Sequence, residues 1–260
     1  MTEITGVFIL LTVMLYVNGT NGDNTYGEAN IKNHPYQLQV RYTYHKSICG
    51  AVLLRPALSL TCANCVVRRQ PFDISVGAGS SNFTKRDGIW KIALFFFFHP
   101  GYKLGIWNYN IAIIVTSPFP LSVNIQPIDL MQLQYEVFPN TVATATGYGL
   151  KNYLVKGKAL RYATLTRIRD DDCYKLAKLH LTDRMLCFVD KSQNQLYLND
   201  MGDPLVINKK LVGFAVSLHQ AFEKGGPVLY LSVQHPIIRK FIVNIVTTDA
   251  KQLFFKYSKF

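Results

Sequence analysis

The strongest constraint on what this chain can fold into is a series of short motifs that run in order from Pro35 to Val233. Pro35-Tyr36-Gln37-Leu38-Gln39-Val40 opens it, then Cys49-Gly50-Ala51-Val52-Leu53-Leu54 and Leu60-Thr61-Cys62-Ala63-Asn64-Cys65. His99-Pro100-Gly101-Tyr102 is followed by Asn110-Ile111-Ala112-Ile113, and later by Thr146-Gly147-Tyr148-Gly149, Cys173 and Met185-Leu186-Cys187. The octapeptide Asn199-Asp200-Met201-Gly202-Asp203-Pro204-Leu205-Val206 comes next. Leu211-Val212-Gly213-Phe214-Ala215-Val216-Ser217 and Tyr230-Leu231-Ser232-Val233 close the series. One such run is a weak signal. A collinear set of this length bears on the whole chain.

Each run resembles, in the same order, a segment of the trypsin- and chymotrypsin-like serine proteases. The octapeptide resembles Gly-Asp-Ser-Gly-Gly-Pro-Leu-Val, the surroundings of the nucleophile. The resemblance is closest in kind to the short homologues without a clip module that insects carry. It implies an all-β fold of two six-stranded antiparallel β-barrels with a C-terminal α-helix. The domain then spans 23–246, with one barrel over about 30–125, the other over about 126–235 and the helix over 236–246. Ile237, Ile238, Phe241, Ile242, Ile245 and Val246 recur at helical spacing, and Pro236 suits a first turn. The run Phe95–Phe98 reads as barrel core.

The family mechanism relays a proton from serine to histidine, with a buried aspartate holding the imidazole. Carried over position by position, the histidine slot holds Asn64, the aspartate slot Asn110 and the serine slot Met201. A thioether has no proton to give up, and an amide does not titrate near neutral pH. The chain is therefore expected not to be an enzyme, since losing the nucleophile alone removes about six orders of magnitude of rate. Asn199 and Asp203 stand at the two glycine positions around the nucleophile, and the Asp203 carboxylate is expected close to where an oxyanion would form. Ser217-Leu218-His219 stands where the family has Ser-Trp-Gly, so His219 replaces the glycine that leaves room for a substrate chain, and the pocket base aligns near Gln195. A residual hydrolase would have to use His219 or Cys62. Cys62 reads more simply as a buried small hydrophobe. Activation by cutting is not expected: Asp200 is present, but 23–29 offers neither a basic cleavage site nor the terminus that Asp200 would pair with.

The apolar run Val7–Val17 is too short for a bilayer and reads as a signal peptide over 1–22, so the chain is expected to be secreted. The resemblance pairs Cys49 with Cys65 and Cys173 with Cys187, leaving Cys62, the fifth cysteine, outside any bridge. Asn82-Phe83-Thr84 is a glycosylation sequon. No metal-ligand spacing, phosphate-cradling loop or nucleic-acid motif occurs, and no cofactor or membrane span is expected.

The formal charge of +12 suits polyanionic glycans or anionic surfaces, but the basic residues are scattered and serve solubility equally well. The tail 247–260 ends in Lys251-Gln252-Leu253-Phe254-Phe255-Lys256-Tyr257-Ser258-Lys259-Phe260, basic and aromatic at once. It reads as a docking tail, as a helix extension over an apolar patch or as a frayed terminus. The resemblance implies a protein that binds secreted proteases, inhibitors or other protease homologues, as regulator, cofactor or scaffold, in an extracellular fluid such as seminal fluid.

Overall fold

A computed structural model of the protein describes residues 26–42, 46–85, 87–149, 159–177, 181–190, 201–217 and 226–248. Thirteen strands and three helices occur among them: β1 Tyr26–Glu28, β2 Gln37–Tyr42, β3 Lys46–Arg55, β4 Leu58–Thr61, α1 Ala63–Val66, β5 Ile74–Ala78, β6 Ile89–Phe98 and β7 Ala112–Thr116 in the first half. β8 Val142–Gly147, β9 Arg161–Arg167, α2 Asp170–Ala177, β10 Met185–Val189, β11 Pro204–Ile207, β12 Lys210–Ser217, β13 Val228–Ser232 and α3 Pro236–Val246 make up the second.

Strands β2-β3-β4-β7-β6-β5 close into an antiparallel barrel. The second sheet runs β9-β10-β13-β12-β11-β8 and closes through β8–β9, with β1 paired outside it on β9. The two six-stranded barrels implied by the resemblance are thus present. Closure leaves no hydrogen-bonding edge inside either barrel. The hairpin β11–β12 turns on Asn208 and Lys209, both at positive φ, which matches the right-handed twist of its strands.

One apolar cluster runs from the first barrel across the seam to α3, through Leu38, Leu60, Ile113, Phe214, Leu231 and Ile242. A second fills the other barrel around Leu165, Phe188, Val212 and Tyr230. The connection between the barrels is strapped to both. Gln126 N–H donates to Pro35 and Ile128 N–H to Leu53, while Leu211 N–H donates to Asp129 and Met131 N–H to Leu211.

Helix α3 starts with Pro236 in its first turn, capped by the His235 ring accepting from Ile237 N–H at 3.3 Å. Ile238, Ile242 and Ile245 form its buried stripe, and Ile237 and Val243 stay exposed. Among the described residues, no helix is long and apolar enough to cross a membrane.

The Phe95–Phe98 run is only partly core: Phe96 and Phe97 are buried, while Phe95 and Phe98 are half-buried and pack against the same cluster.

The disulfides join Cys49 of β3 to Cys65 of α1, and Cys173 of α2 to Cys187 of β10. The first closes a loop with a sequence separation of 16. Replacing both Cys49 and Cys65 by serine is expected to lower the unfolding free energy by about 2–4 kcal/mol, read as a lower urea midpoint.

Candidate functional site

Three separate elements deliver the triad positions to one place at the seam between the barrels. Asn64 is the second residue of α1, the single turn that follows β4, and lies next to the bridged Cys65. Asn110 ends the short 3-10 turn Trp107–Tyr109 just before β7 and is buried. Met201 leads into β11 and is half-buried. Asn110 Oδ1 accepts the Asn64 backbone N–H at 2.9 Å, and Asn64 Nδ2 donates to Met201 Sδ at 3.2 Å. The result is a continuous hydrogen-bonded chain from Asn110 through Asn64 to Met201. None of its side chains carries charge or titrates near neutral pH.

The loop that holds Asn110 is fixed by rings. His99 stacks on Tyr109 with centroids 4.5 Å apart, and packs against Phe241 of α3 at 5.2 Å. Arg184 lies over the Tyr109 ring at 4.9 Å, and Asn108 Oδ1 accepts the Thr182 hydroxyl at 2.7 Å. His99 Nδ1 accepts Gly101 N–H at 3.0 Å, so its neutral ring carries the proton on Nε2. Burial first, and the Arg184 charge second, hold the His99 pKa below the ordinary imidazole value.

Met201 itself is held by backbone. Gly50 N–H donates to the Met201 carbonyl at 2.9 Å, Gly202 N–H to Ala215 at 2.7 Å, and Ala215 N–H to Asp203 at 2.8 Å. Gly202 sits at φ +94°, and a Cβ there would stand 2.2 Å from Gly50 O and 2.6 Å from Thr61 Oγ1. A Cβ on Gly50 would come within 1.9 Å of Asp203 Oδ1. Glycine at both positions is what lets the two barrels touch here.

The Asp203 carboxylate does not point where the sequence expectation put it. It turns away from the cleft into the seam, where Gln37 Nε2 donates to Oδ1 at 2.8 Å, and the residue is fully buried. Gln37 Oε1 in turn accepts the Thr146 hydroxyl at 2.7 Å. A carboxylate withdrawn from water needs a donor, and the Gln37 amide supplies one. Its charge acts on the seam. Burial first, and Asp203 second, push the Tyr148 and Tyr230 phenols well above their ordinary range.

Cys62, the one cysteine outside the two bridges, is fully buried and donates its thiol to Ala215 O at 3.0 Å. Burial first, then the Asp203 charge, raise its pKa well above the usual thiol value. A sealed thiol with suppressed ionisation is not a nucleophile. His219, Leu218, Gln195, Asn199 and Asp200 lie outside the described residues. Asn82 is half-buried ahead of the turn Phe83–Lys85, and its Oδ1 accepts both the backbone N–H and the hydroxyl of Thr84, the latter at 2.7 Å. Among the described residues no group of His, Cys, Asp or Glu could hold a metal ion. The seam network of Gln37, Thr146 and Asp203 and the ring stack on His99 carry no local signature in the sequence, because their partners lie far apart along it.

Comparison with known proteins agrees with this geometry. The family model described as Trypsin matches residues 25–239. A trypsin of Saccharopolyspora erythraea is 26% identical over 211 residues, covering 79% of this chain and 91% of its own length. Trypsin theta of Drosophila melanogaster is 26% identical over 230 residues, 85% of each protein. Among solved structures, the scabies mite inactivated protease paralogue S-I1 superposes with a TM-score of 0.75 at 25% identity, over 86% of this chain and 100% of its own.

Two outcomes are expected. Gly202→Ala destabilises by about 2–5 kcal/mol in chemical unfolding, from left-handed strain plus overpacking against Gly50 and Thr61. His99 titrates by NMR below 6.5, the ordinary value. Since its folded pKa is depressed, protonation favours the unfolded chain: stability is held above about pH 6.5 and falls as the pH drops. His99→Phe keeps the ring stack and flattens that fall in a melting series from pH 7.5 to 5.5.

Proposed function

The chain belongs to the trypsin family, and we propose that within it the protein is a secreted, non-catalytic homologue that works by binding other proteins. The observation that carries this reading is the uncharged chain Asn110–Asn64–Met201, seated where a protease needs a base, its orienting carboxylate and a nucleophile. No other described side chain takes over, since Cys62 is sealed beneath Ala215. The name of the mite relative, an inactivated protease paralogue, supports the same reading, although the curated relatives bear the names of proteases. Secretion fits the two disulfides and the apolar leader Val7–Val17. The partners are secreted proteases, their inhibitors or other protease homologues, met in an extracellular fluid, reproductive-tract fluid foremost. They engage loops or outer surfaces rather than a substrate groove.

A second reading, binding to polyanionic glycans, is favoured by one observation besides the net charge. Lys32 and Lys209, with Asn33 and Asn208, line a hollow of about 590 Å³ between the start of the first barrel and the β11–β12 hairpin, and the Asp129 carboxylate that also lines it is paired with Lys210.

The test uses the tagged protein captured from its native extracellular fluid at low and physiological salt, with a peptide-pool assay alongside. A small set of secreted partners retained at physiological salt, with no peptide turnover, is expected. Capture that vanishes at physiological salt favours the glycan reading. Turnover lost on Cys62→Ser or His219→Ala overturns both.

A further inference from the structure

A groove of about 470 Å³ opens between β6 and α3. Its walls are apolar: Phe96, Phe97 and Ile245 are buried, Phe98 and Phe241 are half-buried, and Ile237 remains 44% exposed. Along the same strand, Ile92 and Leu94 are also more than half exposed, at 53% and 55%. Apolar surface exposed in such a groove costs free energy until something apolar covers it.

We propose that the occupant is the chain's own segment 249–260, docked through Phe254 and Phe255. The end of α3 favours it. Thr247 and Thr248 turn their hydroxyls back to the carbonyls of Val243 and Asn244, and the chain bends at these two residues. Thr248 stands three residues beyond Ile245, which lines the groove. Lengths agree as well. The groove follows α3 from Ile237 to Ile245, about 12 Å of helix. The six residues from Thr248 to Phe254 span up to about 20 Å. Either aromatic ring reaches any part of the hollow once the chain folds back.

The chemistry matches on the same terms. The groove presents phenylalanine and isoleucine, and the segment offers two adjacent phenylalanines. The lining holds Lys240 and no carboxylate, so Lys251, Lys256 and Lys259 are not drawn in by charge and stay in water. Docking is consequently apolar and insensitive to salt. Tethering gives the segment a local concentration near the millimolar range, which a free competitor must exceed.

The test uses the full-length protein with p-benzoylphenylalanine in place of Phe255, irradiated at low and high salt, with cross-links mapped by mass spectrometry. Cross-links within one chain to 95–100 or 237–245 are expected at equal yield in both salts. Ile237→Asp, a change at an exposed position, should cut that yield about tenfold. In a second measurement, full-length Phe254→Ser/Phe255→Ser should exchange backbone amides of 95–99 several-fold faster than the unaltered chain. Cross-links elsewhere, none at all, or a covalent dimer whose yield rises with concentration overturn the proposal, as does unchanged exchange in the serine variant.

Discussion

Two backbones pass within the reach of a single methyl group where Gly50 meets Met201-Gly202-Asp203, and the neighbourhood of the old cleft depends on that approach. Gly50 donates to Met201 O, Gly202 donates to Ala215 O, and Asp203 O accepts from Ala215. One strand of the first barrel is thereby stitched to the β11–β12 hairpin of the second. Thr61 reinforces the stitch by donating its hydroxyl to Gly50 O at 2.7 Å. Each of these bonds is buried, and a buried backbone group left unpaired costs about 1–3 kcal/mol. The backbone of 201–203 is therefore held whether or not residue 201 does any chemistry.

This separation of scaffold from chemistry explains how all three triad positions can hold neutral side chains without loss of geometry. An aspartate at the Asn110 position would need an ionic partner or several donors to offset its desolvation. A neutral amide carries no such charge, and its Oδ1 accepts the Asn64 backbone N–H. Asn64 spans the remaining gap to Met201 with its own amide. At this end of the molecule the buried carboxylate is Asp203, which lies in the seam between the barrels and is answered by Gln37. Among the described residues, the Asp203 charge lies at the interface between the barrels.

The barrels were legible in the sequence through the collinear resemblance to the trypsin-like proteases, not through strand periodicity. The quoted runs fall on β2, β3, β4, β7, β8 and β10 to β13, each a short apolar segment between turns. The stripe of Ile238, Ile242 and Ile245 after Pro236 announced α3 by its helical spacing. What could not be read is direction. Asp203 follows a glycine at φ +94°, and which way its side chain then points is decided by Gln37, 166 residues away. The count of cysteines left Cys62 over, but only the fold brings Ala215 O to its sulfur across 153 residues. In the Phe95–Phe98 run the two middle rings are buried and the outer two are half-buried, because α3 packs beside the strand, and that neighbour lies far along the chain.

The ring stack also relates the outer groove to the inner site. Phe241 lines the groove and packs on His99; His99 stacks on Tyr109; Tyr109 precedes Asn110, which holds Asn64. Contact of this kind transmits a signal only if some member has two stable arrangements. Here each ring is held from a second side: His99 by Gly101 N–H, Tyr109 by Arg184, and Phe241 by its place on α3. A ligand in the groove would add contacts to the first ring without a second position for the others to occupy. Its effect on Asn110 is then to make opening of the loop 99–110 more costly, because a ligand that binds only the closed form stabilises that form by mass action. The path works as a brace, and that suits the non-catalytic binding role proposed above.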